Sequence, residues 1–509
     1  MLEKKREGFN KIGYNKRLWV DGNLKIACLF ILASIVAALF LVESPLHPWI
    51  CADTKIDSSV FRVVAFMMSK GFMPYRDSFD HKGPLLYIIN WLGNNPIFNG
   101  KLWIIEWLFL TLTIMMMYKI ARIVCSIFQA ILVSLTSLSL LFNYFEGGNL
   151  TEEYAMLFIA IAVYIFVDYL KNDRVSKIRL VICGASLGGT LLLRPNMIAI
   201  WAVMCSVIFF QLFFSKKWKN LWEFSKYFLI GLMLILVPVI IWLSMNHALQ
   251  DFWKDYVVFN KSYIKGMSQG ALWKARWNTG YHFFNTKICK IAFAGMIFCA
   301  IYQKDCLNIS YLAYMIVSLI LIGISGVVYG HYGMVLIPML VYPLAEIFSN
   351  VKKIKKKFLL VVCEVICFVF VITNAKLSSW ITLARSIPSI YADKGNDHRS
   401  ETASIIGQYI DENTAEDEKI SVYGNWDYIY LISERCHATQ YSYQYPIADV
   451  SSEIMENYWS QLEKETPPII VVQAGRMDDM MVKYLYENQY ELLWSERGRE
   501  VDGALIYKK

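Results

Sequence analysis

The chain has 509 residues, 56% of them apolar and 18% charged, with a net charge of +8. About a quarter of the residues of a soluble domain carry charge, so this balance excludes an ordinary soluble enzyme and points to a chain held largely in lipid. Nothing in it suggests nucleic acid: Lys and Arg gather at the edges of apolar runs, and residues 401–509 hold 9 Lys+Arg against 20 Asp+Glu.

A helix needs roughly 20 residues to cross a bilayer core about 30 Å thick. Runs of that kind fall at 24–42, 102–120, 124–144, 154–170, 178–193, 197–214, 227–245, 288–303, 309–328, 332–349 and 358–375. The sequence thus predicts a polytopic α-helical membrane protein with about eleven transmembrane helices. Residues 1–23 form a basic N-terminal segment, and residues 24–375 the transmembrane domain. The first run is longer than a signal-peptide core and no small-residue cleavage site follows it, so it reads as a retained anchor. Span 178–193 carries Gly184, Ala185, Gly188 and Gly189, which suit close helix packing.

Basic residues set the expected orientation. Lys4, Lys5, Arg6, Lys11, Lys16 and Arg17 precede the first span, and Lys171, Arg174, Lys177 and Arg179 follow the fourth. Lys216, Lys217, Lys219 and Lys226 follow the sixth, and Lys352, Lys353, Lys355, Lys356 and Lys357 precede the last. With eleven spans all of these share one side, which places the N-terminus in the cytoplasm and the C-terminus outside.

Three regions outside the bilayer are then long enough to carry function: an outer loop at 43–101, a second at 246–287, and a C-terminal region at 376–509. The second loop holds Trp253, Tyr256, Tyr263, Trp273, Trp277 and Tyr281, a composition suited to helices lying among lipid headgroups. The third reads as a small extracytoplasmic α/β domain. Its strands are expected at 419–424, 468–473, 490–494 and 503–507, with helices near 399–411, 451–464 and 477–488. Cys51 and Cys436 both fall outside the spans and are candidates for a disulfide; no zinc-type Cys/His spacing is present.

The first loop is the richest in motifs. Asp57, Ser58 and Ser59 form a good helix N-cap, and Val60, Val63, Val64, Met67 and Met68 an apolar face behind it. Gly71 is expected to end that helix, a charged turn from Pro74 to Gly83 follows, and Pro84 opens a second helix at its first position. Asp57 together with the run Lys82, Gly83, Pro84, Leu85, Leu86, Tyr87 resembles the GT-C superfamily of integral-membrane glycosyltransferases, near the protein O-mannosyltransferases and the aminoarabinose transferases. Those proteins carry an acidic residue early in the first outer loop and then a Lys-Pro-Pro-Leu-type element. Gly83 departs from that pattern.

The resemblance implies a polyprenyl-phosphate-linked sugar as donor and transfer on the outer face. Glycosyl transfer needs a base for the acceptor's proton, and a phosphate leaving group needs positive charge. Asp57 is the expected base, its plainer reading being an N-cap. Lys82 is the expected phosphate contact, its plainer reading a lysine reaching toward headgroups. Arg62 and Arg76 are nearby cations of the same loop, while Asp77, Asp80 and His81 are expected to hold the turn together.

Three more polar clusters fall at outer membrane edges. Glu146 to Tyr154 reads EGGNLTEEY: Thr151 and Glu153 fit helix capping, and Glu152 is a candidate for sugar or for a divalent metal. In the related transferases a basic residue at an outer span edge contacts the carrier phosphate, which makes Arg194 a candidate. His331, between Gly330 and Tyr332, is a candidate for phosphate or acceptor. No cofactor is certain. The expected function is transfer of sugar to a cell-surface acceptor (a glycan, teichoic acid, lipid or protein) at the cell membrane. A flippase of lipid-linked glycans and a glycan polymerase or ligase are the alternatives. A flippase would place ionisable residues in mid-span and show repeated halves, whereas Glu106 and Glu364 stand singly.

Overall fold

The computed structural model describes residues 24–49, 56–93, 100–172, 175–262, 269–351, 353–393, 398–495 and 503–509. The basic segment 1–23, Cys51, Tyr263 and Lys352 lie outside them, as does the disulfide expected at Cys51.

Each apolar run of the sequence is helical. The first ten helices in chain order are α1 (Leu24–Phe40), α2 (Ile56–Ser69), α3 (Pro84–Leu92), α4 (Gly100–Arg122), α5 (Ile127–Leu138), α6 (Leu141–Tyr144), α7 (Thr151–Asn172), α8 (Lys177–Leu191), α9 (Ala199–Phe214) and α10 (Trp218–Met245). Among the described residues seven helices are long and apolar enough to cross a membrane: α4, α5 with α6, α7, α10, Cys306–Ser325, Gly330–Val351 and Lys357–Ala392. An eighth is counted if Gly270–Phe284 and Lys287–Gln303, bent by 89° at their junction, form one span. The runs at 24–42, 178–193 and 197–214 form the shorter helices α1, α8 and α9, so length and composition do not establish all eleven expected spans. The last span also runs on beyond residue 375, with a second helix at Leu377–Asp393.

Packing follows residue size. In α7 the alanines at 155, 160 and 162 are fully buried, and the helix packs against both α4 and α8. The small residues of α8 serve the same end: a Cβ on Gly184 would sit 1.9 Å from the Phe228 carbonyl oxygen, and one on Gly231 1.9 Å from that of Val181. The α8–α10 pair is thus in backbone contact. Helix α10 turns most of its apolar surface outward, as a lipid-facing helix does, whereas α7 is enclosed. In the helix Gln269–Phe284, Trp273, Trp277 and Tyr281 recur every four residues on one face and are 69%, 76% and 53% exposed.

The C-terminal region builds a four-stranded sheet from β1 (Ser421–Tyr423), β2 (Ile469–Gln473), β3 (Glu491–Ser495) and β4 (Ala504–Lys508), ordered β1-β2-β4-β3. Strand β1 pairs parallel with β2, while β4 runs antiparallel to both β2 and β3. Its helices lie at His398–Asn413, Tyr428–Ser433, Ser452–Glu465 and Asp479–Glu487.

Helix α2 joins this region to the bundle. Val60, Phe61 and Val64 belong to the bundle core, whereas Val63, Phe66 and Met67 share a core with Ile406, Val422 and Ile429 of the C-terminal region. With apolar residues on both sides, α2 is a wedge between two bodies rather than a surface helix.

Candidate active site

Between the bundle and the C-terminal region lies a cavity of about 450 Å³. Its wall includes Asp57, Phe61, Asp80, His81 and Lys82 from the first loop, Arg194 and Asn196 from the turn after α8, and Tyr256 and Asn260 from the second loop. His331 and Tyr332 close one side, and Asn425, Tyr443, Pro446 and Ile447 of the C-terminal region close another.

Asp57 lies in the first turn of α2 and is exposed. After Gly71 (φ +91°) ends that helix, the turn folds on its own polar groups. Asp77 accepts the Met73 N–H at 2.7 Å and pairs with Arg76 at 2.6 Å. Partial burial would raise the Asp77 carboxyl, but these contacts hold it below the usual carboxylate range. Asp80 is 1% exposed and accepts the hydroxyls of Tyr87 (2.8 Å) and Tyr443 (3.1 Å). Burial, the largest single influence, would raise its pKa; Lys82 first, then His81 and Tyr87, together outweigh it and hold the carboxyl below its usual range. Burial and then Lys82 push the His81 imidazole down to about 3, so the neutral ring accepts a hydrogen bond from Lys82 Nζ at 3.0 Å. The ammonium also lies 5.6 Å from the centre of the Phe61 ring.

The C-terminal region holds the same turn from above. Phe79 N–H donates to the Gln440 carbonyl at 2.7 Å, and Ser78 Oγ meets His437 Nε2 at 3.1 Å. Burial lowers His437 to about 4, so its ring is neutral; Nδ1–H donates to Thr439 and Nε2 accepts from Ser78.

Gly83 explains why Lys82 and Arg194 share one cavity. Its N–H donates to the Leu193 carbonyl at 3.1 Å, and the Leu85 N–H to that of Leu192 at 3.0 Å. A Cβ at position 83 would stand 2.1 Å from the Leu192 oxygen. Proline there would forfeit the first bond and meet the same clash, so the departure from the Lys-Pro-Pro-Leu pattern is what allows this backbone approach. Gly83→Ala is expected to cost about 2 kcal/mol or more and to lower melting midpoint and activity together in detergent-purified protein.

Arg194 donates to Glu152 Oε1 at 2.5 Å and to the Tyr332 hydroxyl at 2.7 Å, with its guanidinium 4.2 Å from the Tyr332 ring centre. Glu152, itself held by the Thr151 hydroxyl at 2.7 Å, lies behind Arg194 and outside the cavity wall. Its contact is with the arginine rather than with the cavity. His331 Nδ1 pairs with Glu146 Oε2 at 2.6 Å, and that bond leads the contacts holding Glu146 below the usual carboxylate range. Arg62 and Arg76 are not brought to the cavity: Arg62 is buried against the Tyr428 ring, and Arg76 is bonded to Asp77 and to the Asn246 carbonyl.

The rest of EGGNLTEEY is structural. Glu146, Gly147, Gly148 and Asn149 all have positive φ. The Asn149 N–H then donates to both Glu106 (3.1 Å) and Glu153 (2.7 Å), and its amide reaches Ser58 and Asn90 at 2.9 Å each. Glu106, single in sequence, thus sits beside Glu153 in a buried network that ends one residue from Asp57. Among the described residues no group of three or more His, Cys, Asp or Glu is placed to hold a metal ion.

Asp80, Tyr256, Asn260, Lys261, Asn425 and Tyr443 are among the wall residues that sequence reasoning did not select. Asp80 was visible as part of a charged turn; the others come from remote segments whose only signal was polar and aromatic composition. Beside them Asp255 is 6% exposed, and burial pushes its carboxyl up to about 8. A carboxyl whose folded pKa lies above its unfolded value keeps a proton that the unfolded chain has released, so stability falls as pH rises from about 4 to 8. The melting midpoint is expected to drop across that window, and Asp255→Asn to flatten the drop when the two are scanned side by side.

Residues 18–273, just over half of the chain, match the family model described as "Putative competence-induced protein Ccs4 N-terminal domain". The chain belongs to this family. The Ccs4 match takes in the first loop, Glu152, Arg194 and most of the second loop, and so most of the cavity wall. No curated protein matches the chain. Among solved structures, ArnT from Cupriavidus metallidurans bound to undecaprenyl phosphate superposes with a TM-score of 0.58 at 12% identity, covering 94% of this chain and 97% of that one. Its apo state gives 0.54 at 12% identity over 95% and 98%. An oligosaccharyltransferase from Archaeoglobus fulgidus, in complex with Zn and sulfate, gives 0.51 at 14% identity over 88% and 68%. The Ccs4-family chain therefore shares the fold of these structures, a polytopic helical body with a small C-terminal sheet.

Proposed function

We propose that this protein is a membrane glycosyltransferase that moves a sugar from a polyprenyl-phosphate carrier to a cell-surface acceptor. The observation that carries the reading is a single cavity, in a fold shared with the undecaprenyl-phosphate-bound ArnT, whose wall joins Asp57 to Lys82 and Arg194. Asp57 takes the acceptor hydroxyl's proton as the acceptor oxygen bonds to the sugar carbon. The sugar–phosphate bond breaks, and the carrier leaves as a phosphate monoester with one more negative charge. Lys82 and Arg194 are the groups that stabilise that growing charge. Glu152 and the Glu146–His331 pair position Arg194 and its neighbours.

The basic residues support an outer location for this chemistry. Arg179 and its partner Asp168, bonded at 2.7 Å, lie near the end of α7 remote from Glu152. Lys216, Lys217 and Lys353 to Lys357 follow or precede helices at that same end. Under the positive-inside rule this end is cytoplasmic and the cavity opens outside, with the C-terminal domain of 376–509 above it. The exposed Trp273, Trp277 and Tyr281 then rest among lipid headgroups beside a cavity that takes a lipid substrate. Membranes holding the protein are expected to consume a labelled polyprenyl-phosphate sugar; failure across a panel of common sugars would defeat the reading.

A further inference from the structure

Lys82 is held by a chain of contacts whose far end lies in the C-terminal region. Its Nζ, half-buried on the cavity wall, meets His81 Nε2 at 3.0 Å. His81 Nδ1 lies 3.4 Å from Asp80 Oδ1, and the same oxygen accepts the Tyr443 hydroxyl at 3.1 Å. Among the described residues Lys82 Nζ has no other hydrogen bond and no ion pair. An ammonium carries three donors, so the cavity side of Lys82 keeps donors for a ligand.

The two oxygens of Asp80 are served from different places. Oδ2 takes the hydroxyl of Tyr87, in the first loop itself, at 2.8 Å. Oδ1, the oxygen turned to His81, relies on Tyr443, which is 363 residues away in sequence. With both oxygens engaged, the carboxylate faces the imidazole and makes no direct pair with the ammonium. A direct pair would take up donors that a phosphate needs.

Tyr443 is itself set in place by its neighbour. Gln444 is fully buried; its Oε1 accepts the Gly424 N–H at 2.8 Å, and its Nε2 donates to the carbonyls of Val422 (3.3 Å) and Tyr441 (3.2 Å). The Gln444 N–H adds a bond to the Gly424 carbonyl at 3.0 Å. These bonds fasten the segment to the exit of β1. Burial and then the Asp80 carboxylate hold the Tyr443 phenol well above its ordinary pKa, so the hydroxyl keeps the proton it donates.

We propose that Tyr443 is a positioning residue for the donor: through Asp80 and His81 it holds Lys82 toward the carrier phosphate, so the C-terminal domain completes the phosphate subsite. This rests on the transferase reading. Without the Tyr443 hydroxyl, Asp80 Oδ1 turns toward the ammonium and draws Lys82 away from the ligand. The test uses full-length protein in nanodiscs and measures binding of undecaprenyl phosphate beside turnover of undecaprenyl-phosphate sugars. Tyr443→Phe, which removes only the hydroxyl, is expected to weaken binding of undecaprenyl phosphate about fivefold. Lys82→Met is expected to weaken it about tenfold. Added to Lys82→Met, Tyr443→Phe should change binding by no more than about twofold, because its route to the phosphate is already gone. Ser78→Ala cuts another tie between the same turn and the C-terminal region, the contact with His437. It should bind carrier within about twofold of wild type, and melting midpoints check that every variant folds.

Losses that multiply in the double variant overturn the inference, because Tyr443 then acts without Lys82. Unchanged carrier binding in either single variant, Tyr443→Phe or Lys82→Met, overturns it too. So does an equal loss in Ser78→Ala, the mark of a general loosening between the turn and the C-terminal region. If wild type neither binds undecaprenyl phosphate nor turns over any sugar carried on it, the transferase reading fails and this inference falls with it.

Discussion

Asp57→Asn is expected to lower turnover of the sugar donor by about 10²–10⁴-fold, with donor affinity and melting midpoint close to wild type. The choice of Asn separates the two readings of this residue. Asp57 is the second residue of α2 and not its N-cap, so a purely structural carboxylate there would act through its charge on the helix dipole. Asn would then cost about 0.3–1 kcal/mol of stability with activity intact. Asn cannot accept a proton, so a base would lose nearly all its function. The surroundings favour a poised rather than a structural carboxylate: Ser58, next in sequence, is buried and held by Asn149, while Asp57 itself stays exposed on the cavity wall. Single-turnover assays beside thermal melts of the same preparations distinguish the outcomes.

Arg194→Ala should remove a charge-assisted contact to the carrier phosphate and weaken donor binding on the order of 10–100-fold. It should also unsettle the fold, because Glu152, 3% exposed at its side chain, loses its partner. Removing one partner of a buried ion pair costs about 3 kcal/mol. The double variant Arg194→Ala with Glu152→Gln removes the stranded carboxyl. It should regain most of the melting midpoint while donor binding remains weak. A double variant that binds donor like wild type would show Arg194 to be structural alone, an internal partner for Glu152 and Tyr332.

Much of this organisation was legible in the residues. Hydrophobic runs located the helices because lipid permits few other solutions. Alternating and continuous β-rich runs located four strands to within a residue or two. Asp57 and Lys82 were selectable because they stand in the motif-rich first loop that carries the family resemblance, and Arg194 and His331 because each falls at an outer membrane edge. What stayed hidden was pairing. Glu152 stood out like the others, yet it faces Arg194 because the α7 start and the α8 exit happen to meet. Arg62 belongs with Tyr428, more than 360 residues away in sequence, and no local pattern encodes that. Gly83 appeared in the sequence as a departure from a motif, and only the backbone of Leu192 and Leu193 gives its reason. The C-terminal wall, with Asn425 and Tyr443, was unreadable because an isolated polar residue in a soluble domain has no distinguishing spacing.

The central claim is that the cavity cleaves a sugar–phosphate bond. It is tested most directly by reconstituting wild-type protein in liposomes with undecaprenyl phosphate carrying a radiolabelled sugar and following the lipid product. The predicted result is release of free undecaprenyl phosphate with transfer of the label to an acceptor, both abolished in Asp57→Asn. Donor that crosses the bilayer with its sugar–phosphate bond intact, or donor left unchanged for every sugar tried, would contradict it.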